Sequence, residues 1–231
     1  RVPVQLKPPP AGQEISDSLL FYPLVGLLFG LALFALGSFM GSQHVIISAS
    51  IVVTAWVLFS GGLHLDGLAD SVDAWIGGMG SKERTLEIMK DPAAGPMGVV
   101  SLILIILLKF TAVQALLSEH ALWLCVPPMI GRLLAILLLV STPYIRPGGL
   151  GEGFSEGLQK EKTMAVCIVI TLLLFLIAPL CTLLLLMVSA GILFAWRHFL
   201  LIRLGGCTGD TIGALVEVSE VAALITIVFV L

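Results

Sequence analysis

The sequence predicts an all-α fold: a polytopic transmembrane helix bundle of about seven spans, forming a single integral membrane domain over residues 1–231. Three observations carry that expectation. Hydrophobic residues make up 58% of the 231 and charged residues 12%, with a mean hydropathy of +1.09. Soluble domains are about 25% charged, so this chain holds half of what a soluble globule needs to cover its surface. The apolar residues fall into runs near the ~20 residues a membrane helix requires, and the scarce charges gather between those runs. The same composition excludes a disordered chain, because burying so much apolar surface outweighs chain entropy. A nucleic-acid partner is excluded by 12 Lys+Arg against 15 Asp+Glu, net −3, without any Lys/Arg run.

The expected spans are roughly Leu19–Met40, Val45–Gly61, Gly98–Leu117, Ala121–Val140, Thr163–Ala178, Leu180–Phe199 and Thr211–Leu231. The fifth and sixth share one apolar stretch. As a single helix from Thr163 to Phe199 it would be about 55 Å long, too long for a ~30 Å hydrocarbon core. Ala178-Pro179 is the natural break, since proline removes an amide donor. The polar, proline-broken opening Arg1-Val-Pro-Val-Gln-Leu-Lys7-Pro-Pro-Pro10 does not read as a signal peptide. Cys125, Cys167, Cys181 and Cys207 lack any C-x-x-C spacing, so neither a disulfide framework nor a zinc site is expected.

Charge sets the orientation. With the N-terminus in the cytoplasm, Arg1, Lys7, Lys82, Arg84, Lys90, Arg146, Lys160, Lys162, Arg197 and Arg203 fall inside, and the outside turns hold no Lys or Arg. That is the positive-inside pattern. It predicts a multi-pass membrane protein whose chemistry is cytoplasmic or within the bundle. Two long inside segments, Gly62–Pro96 and Ser141–Lys162, are the places for it, together with residues 203–213.

The first of these contains Gly61-Gly-Leu-His64-Leu-Asp66-Gly-Leu-Ala-Asp70-Ser-Val-Asp73. Asp66, Asp70 and Asp73 stand at i, i+4 and i+7, one face of a helix, where like charges repel. No Lys or Arg occurs between Lys7 and Lys82 to compensate them. A divalent cation would, and Mg²⁺ takes one or two carboxylates plus phosphate oxygens. Lys90-Asp91, just before the third span, adds a point charge for phosphate and a further oxygen ligand. His64, two residues before Asp66, is a candidate acid/base. Ser81 and Arg84 do not form a capping box, so the start of a helix near Lys82 is undefined at this point.

The second inside segment, Arg146-Pro-Gly-Gly-Leu-Gly-Glu-Gly-Phe154, reads either as a flexible connector or as a flap bringing Arg146 and backbone amides to an anionic substrate. A second acidic set, Asp210, Glu217 and Glu220, recurs at i, i+7 and i+10. Glu217 and Glu220 lie within an apolar span, where an ionisable group needs a partner. Arg132 and Lys109 are the cations available, so a structural pair such as Arg132–Glu217, a polar cavity holding substrate, or both together are expected. Both acidic sets begin Gly-Gly-x-x-x-Asp, at Gly61 and at Gly205. Carboxylates and cations at one membrane face suit metal-assisted phosphoryl transfer.

Gly-Gly-Leu-His64-Leu-Asp66-Gly-Leu-Ala-Asp70-Ser-Val-Asp73, then Glu87-Ile-Met-Lys90-Asp91-Pro-Ala-Ala-Gly95-Pro-Met-Gly98, resembles the signature of the adenosylcobinamide-GDP ribazoletransferase (cobalamin synthase) family. Phe21-Tyr-Pro-Leu-Val-Gly26 and Gly-Gly-Cys-Thr208-Gly-Asp210-Thr-Ile-Gly213 resemble it too, in order along nearly the whole chain. The resemblance implies transfer of the adenosylcobinamide phosphate from adenosylcobinamide-GDP to a ribose hydroxyl of α-ribazole or its 5′-phosphate. GMP leaves, and Mg²⁺ takes part at the cytoplasmic membrane. Expected roles follow: Asp66, Asp70, Asp73 and Asp91 at the metal; His64, Lys90 and Asp210 in catalysis; Lys90, Arg146, Arg132 and Glu217 at the substrate. Expected partners are those two substrates and membrane lipid, with a second copy or other corrinoid-assembly enzymes as further candidates and no nucleic acid. Asp66-Gly-Leu-Ala69-Asp70 also resembles part of the CDP-alcohol phosphotransferase signature, with Asp70 where that family has Arg. A transporter would instead place most of its acidic residues within spans, whereas only Glu217 and Glu220 lie clearly there.

Overall fold

In a bilayer core the backbone must satisfy its own amides, and a helix does so within one segment. The computed structural model, which describes residues 17–41, 44–149 and 159–231, is accordingly built of helices. A 3₁₀ turn at Leu19–Phe21 opens into α1, Tyr22–Met40, with Pro23 in its first turn, where a missing amide costs nothing. α2 is Val45–Phe59. Gly61 and Gly62, both at φ 68°, then turn the chain by 83° into α3, Leu63–Gly77. That left-handed conformation is open to glycine and strained for other residues.

α4, Lys82–Ile88, is short, and the Ser81 hydroxyl caps it by accepting the Arg84 amide at 3.2 Å. The start left undefined by the sequence is therefore a serine N-cap without the reciprocal half of a capping box. α5 is Pro96–Glu119, and a 3₁₀ turn at Ala121–Cys125 leads into α6, Val126–Ser141. α7, Lys160–Ile177, and α8, Pro179–Arg203, divide at the predicted proline. α9, Gly209–Val230, starts on a capping box formed by Thr208 and Thr211.

All seven apolar segments are helical, but the expected count of about seven spans is corrected. Among the described residues five helices are long and apolar enough to cross a membrane, or six if the bent pair of α2 and α3 counts as one span. α2 has only 15 residues, about 22 Å of helix. α7 has 18, and its first three, Lys160-Glu161-Lys162, are charged. α3 does not prolong α2. Its contacts are with the first turns of α1, α5 and α9 and the last turn of α8, so it lies across the end of the bundle.

α9 is the central helix, packed against α3, α5, α6 and α8. α1 meets α6 closely because glycine faces it. A Cβ at Gly26 would stand 2.8 Å from the Met129 Cα, and one at Gly30 2.8 Å from the Cys125 carbonyl oxygen. Small residues let membrane helices approach where no hydrophobic drive exists between them.

Charge binds the interior. Lys109 of α5 donates to Glu217 Oε2 at 2.7 Å and to Glu220 Oε2 at 2.8 Å, both on α9. Arg132 of α6 pairs with Glu220 Oε1, and Trp56 of α2 donates to Glu220 Oε2 at 3.1 Å. The Lys109 ammonium also lies 4.5 Å from the Trp56 ring centre, and the Arg132 guanidinium 5.4 Å from that of Phe29. The expected Arg132–Glu217 pair is thus replaced by Arg132–Glu220. Gly131 explains the exchange: a Cβ there would sit 3.0 Å from Glu220 Cγ, so α6 approaches α9 at the level of Glu220.

Removing one member of this cluster leaves an unmatched buried charge, a loss of about 3–5 kcal/mol. Glu220→Ala is expected to lower the thermal unfolding temperature of detergent-solubilised protein sharply. Glu87→Ala, which removes the exposed Arg84–Glu87 pair, is expected to change stability by about 1 kcal/mol or less.

Candidate active site

The two Gly-Gly-x-x-x-Asp segments meet at one end of the bundle. α3 crosses the first turns of α9 so closely that a Cβ at Gly67 would lie 2.7 Å from the Asp210 carbonyl oxygen. One at Gly213 would lie 3.2 Å from the His64 Cα. The Gly67 contact brings Asp66 and Asp70 alongside Asp210, carboxylates that are far apart in the sequence. Asp66 is exposed, and Asp70 and Asp210 are half-buried.

Arg146 faces them. Its guanidinium pairs with Asp210 Oδ2, and backbone pairing holds it there. The Ile145 amide donates to the Cys207 carbonyl at 3.0 Å, and the Cys207 amide to the Pro143 carbonyl at 2.8 Å. This short bridge ties the stretch after α6 to the turn before α9. The proposed flap around Arg146 is described only as far as Gly149; Leu150–Phe154 lie outside the described residues, as do Arg1–Pro10.

Electrostatics mark Asp70 as the crowded member. Partial burial first, then the negative charges of Asp66 and Asp210, push its carboxyl up to about 6, with Arg146 opposing. Asp73 has a different surrounding. Its Oδ2 accepts the Gly95 amide at 2.7 Å and its Oδ1 the Gly98 amide at 2.8 Å. Both oxygens thus serve the N-terminus of α5, satisfying orphan amides and meeting the positive end of the helix dipole.

Lys90 and Asp91 are exposed, and Asp91 Oδ1 accepts the Ala93 amide at 2.9 Å. Among the described residues no hydrogen bond or ion pair joins either to Asp66, Asp70 or Asp210. Arg132 and Glu217 belong to the buried cluster beneath the site and are 5% and 1% exposed. His64 stands between the two layers. Its Nε2 is 3.4 Å from the Tyr22 hydroxyl, and burial pushes its imidazole down to about 4, against the pull of Glu220. It is therefore neutral at pH 7.

Three contributors escaped the sequence reading. Arg203 donates to the Trp75 carbonyl at 3.2 Å and so pins α8 to α3. Lys82 reaches the backbone of Gly205, 3.4 Å from where a Cβ would stand. Tyr22 meets His64. Only the first carried a signal, a cation in the last turn of a span beside Gly-Gly.

The carboxylate oxygens of Asp66, Asp70 and Asp210 are hard donors under mutual repulsion, a set that suits Mg²⁺. Among the described residues no three His, Cys, Asp or Glu side chains converge to form a metal cage. A cation here would take one or two carboxylates and complete its shell with water or phosphate oxygens, the usual arrangement for Mg²⁺.

A polytopic bundle with clustered carboxylates and a guanidinium at one end fits an integral-membrane enzyme. The chain belongs to the cobalamin-5-phosphate synthase family, whose sequence description matches residues 1–228. It is 47% identical over 227 residues to an adenosylcobinamide-GDP ribazoletransferase of Pseudomonas syringae pv. syringae (strain B728a), covering 98% of this chain and 93% of that protein. A protein of the same name from Pseudomonas putida (strain GB-1) is 47% identical over 226 residues, covering 97% of this chain and 92% of its own. No solved structure matches.

Two outcomes follow from the geometry. Asp70 keeps its proton in the folded state at pH values where the unfolded chain has lost it. Stability of the Mg²⁺-free protein is therefore expected to fall as pH rises from about 4 to about 6, and Asp70→Asn to flatten that slope, read by thermal unfolding across pH. Asp73→Ala is expected to cost about 1–2 kcal/mol through loss of the α5 cap, in the same assay.

Proposed function

We propose that this protein joins the two halves of the cobalamin nucleotide loop, transferring adenosylcobinamide phosphate from adenosylcobinamide-GDP to α-ribazole or its 5′-phosphate. A ribose hydroxyl oxygen forms a bond to the corrinoid-side phosphorus. The bond from that phosphorus to the GMP oxygen breaks, and the hydroxyl proton passes to a carboxylate. The products are adenosylcobalamin, or its 5′-phosphate, and GMP. The observation that carries this reading is the meeting of Asp66 and Asp70 with Asp210 and Arg146 at one end of the bundle, in a chain of this family.

The parts divide as follows. Asp66 and Asp70 would hold Mg²⁺, with Asp91 joining on the phosphate side; Mg²⁺, when bound, neutralises phosphate charge and strengthens the electrophile. Arg146 exchanges Asp210 for the diphosphate, a planar donor suited to phosphate oxygens. Asp210, released from that pair, takes the ribose proton. Lys90 supplies a mobile point charge to the guanosine-side phosphate. Neutral His64 orients this layer through Tyr22. Asp73, Arg132 and Glu217 act by position, fixing α5 and α9 under the site. The cations Lys82, Arg84, Lys90, Arg146, Lys160, Lys162 and Arg203 all lie at this end, which supports a cytoplasmic active site on a bacterial inner-membrane protein.

The test is GMP release from adenosylcobinamide-GDP by purified protein in liposomes, with α-ribazole as acceptor and with or without Mg²⁺. Chelation is expected to abolish release, and Asp66→Asn and Asp70→Asn each to lower it about 100-fold or more. Wild-type turnover and unchanged Mg²⁺ dependence in both variants would remove the metal assignment. Release of CMP from a CDP-alcohol, with none of GMP from the corrinoid donor, would remove the reaction itself.

A further inference from the structure

One side of the bundle takes no part in the site. α7 stands away from its neighbours: of its 18 residues, only Thr163 is buried. Between α7, α1 and the entry to α6 lies a cavity of about 680 Å³, within the size range of ligand pockets. Leu24 and Leu27 of α1 form one wall, Val169 and Leu173 of α7 the other, and Met129 of α6 lies between. Among the described residues no charged or hydroxyl side chain lines it. Along α7 the lining runs from Ala165 to Ile177, about 18 Å of helix, close to the depth of one leaflet of a ~30 Å core.

The mouth of this groove carries both signs of charge. Lys162 precedes Val166 by one helical turn and Glu161 precedes Ala165 by one turn, so both stand above the lined wall. Lys162 pairs across the mouth with Asp17 at 3.8 Å, and Asp17 lies three residues before the lining residue Leu20. Lys160 is exposed in the same turn of α7. A purely anionic headgroup would meet the carboxylates of Asp17 and Glu161. A headgroup with a phosphate and an ammonium meets a partner for each.

We propose that the groove holds an acyl chain of a zwitterionic aminophospholipid, with its phosphate at Lys162 and its ammonium between Asp17 and Glu161. Such a lipid fills the space that α7 leaves open and fastens that helix to α1 and α6. This site is separate from the carboxylate face and does not depend on the reaction assigned to it.

Native mass spectrometry of the full chain, stripped of lipid in detergent and then given phosphatidylethanolamine or phosphatidylglycerol, tests it. Wild type is expected to retain phosphatidylethanolamine in preference. Val169→Trp, at a position 55% exposed in the protein alone, fills the groove and is expected to abolish retention. Lys162→Glu is expected to weaken it about fivefold, the worth of one basic residue at a membrane surface. Unfolding temperature establishes that each variant folds; if Val169→Trp does not, Leu24→Trp on the facing wall takes its place. Equal retention by wild type and the groove-filling variant, a preference for phosphatidylglycerol, or a dimer that replaces bound lipid would each overturn the proposal.

Discussion

Everything in this bundle is arranged around the desolvated carboxylate of Glu220. It is fully buried, and burial of a bare carboxylate in apolar surroundings costs far more than a helix pair can return. The protein meets that cost with Lys109, Arg132 and Trp56, drawn from α5, α6 and α2. Phe29 of α1 then lies against the Arg132 guanidinium. Glu217 joins from the next turn of α9 and balances Lys109. Four formal charges thus cancel within the apolar interior, and satisfying them sets the lateral order of five helices. Van der Waals contact alone discriminates poorly between neighbours in lipid; a geometry demanded by charge discriminates well.

The site is the upper consequence of that order. α9 emerges from the cluster to end at Asp210, and α3 is laid across it by the Gly61-Gly62 turn. Gly67 then permits the backbone contact that brings Asp66 and Asp70 to Asp210. The repulsion among these carboxylates is tolerated because the cluster below and the Asp73 cap on α5 hold the framework in place. Asp73 and Asp70 are three residues apart on one helix, yet one serves the scaffold and the other the crowded face.

Much of this was legible in the residues. Helical runs, the break at Pro179, the acidic spacing and the concentration of cations on one side follow from lengths and periodicities, which are local properties. What stands opposite a face is not local. The period of α3 placed Asp73 with Asp70, but only the approach of Gly95 and Gly98 turned its carboxylate to backbone amides. Spacing offered Arg132 to either glutamate, and the choice of Glu220 rested on how near Gly131 lets α6 come to α9. Counting apolar runs as spans passed over how short two of them are: α2 has 15 residues, and α7 has 15 once Lys160, Glu161 and Lys162 are left to the inside segment. Tyr22 and Trp56 carried no signal, because an aromatic residue in an apolar run looks like core until its polar atom finds a partner.

α9 also acts as a depth gauge. Asp210 and Glu220 are ten residues apart on one continuous helix, about 15 Å along its axis. That is half of a ~30 Å hydrocarbon core. If the buried cluster sits near the bilayer midplane, where fixed charge is costliest, the carboxylate face is set at the water boundary by helix rise alone. Large polar reactants can then be processed by a membrane protein without entering the hydrocarbon, and any vertical slip of α9 is opposed by two electrostatic demands at once.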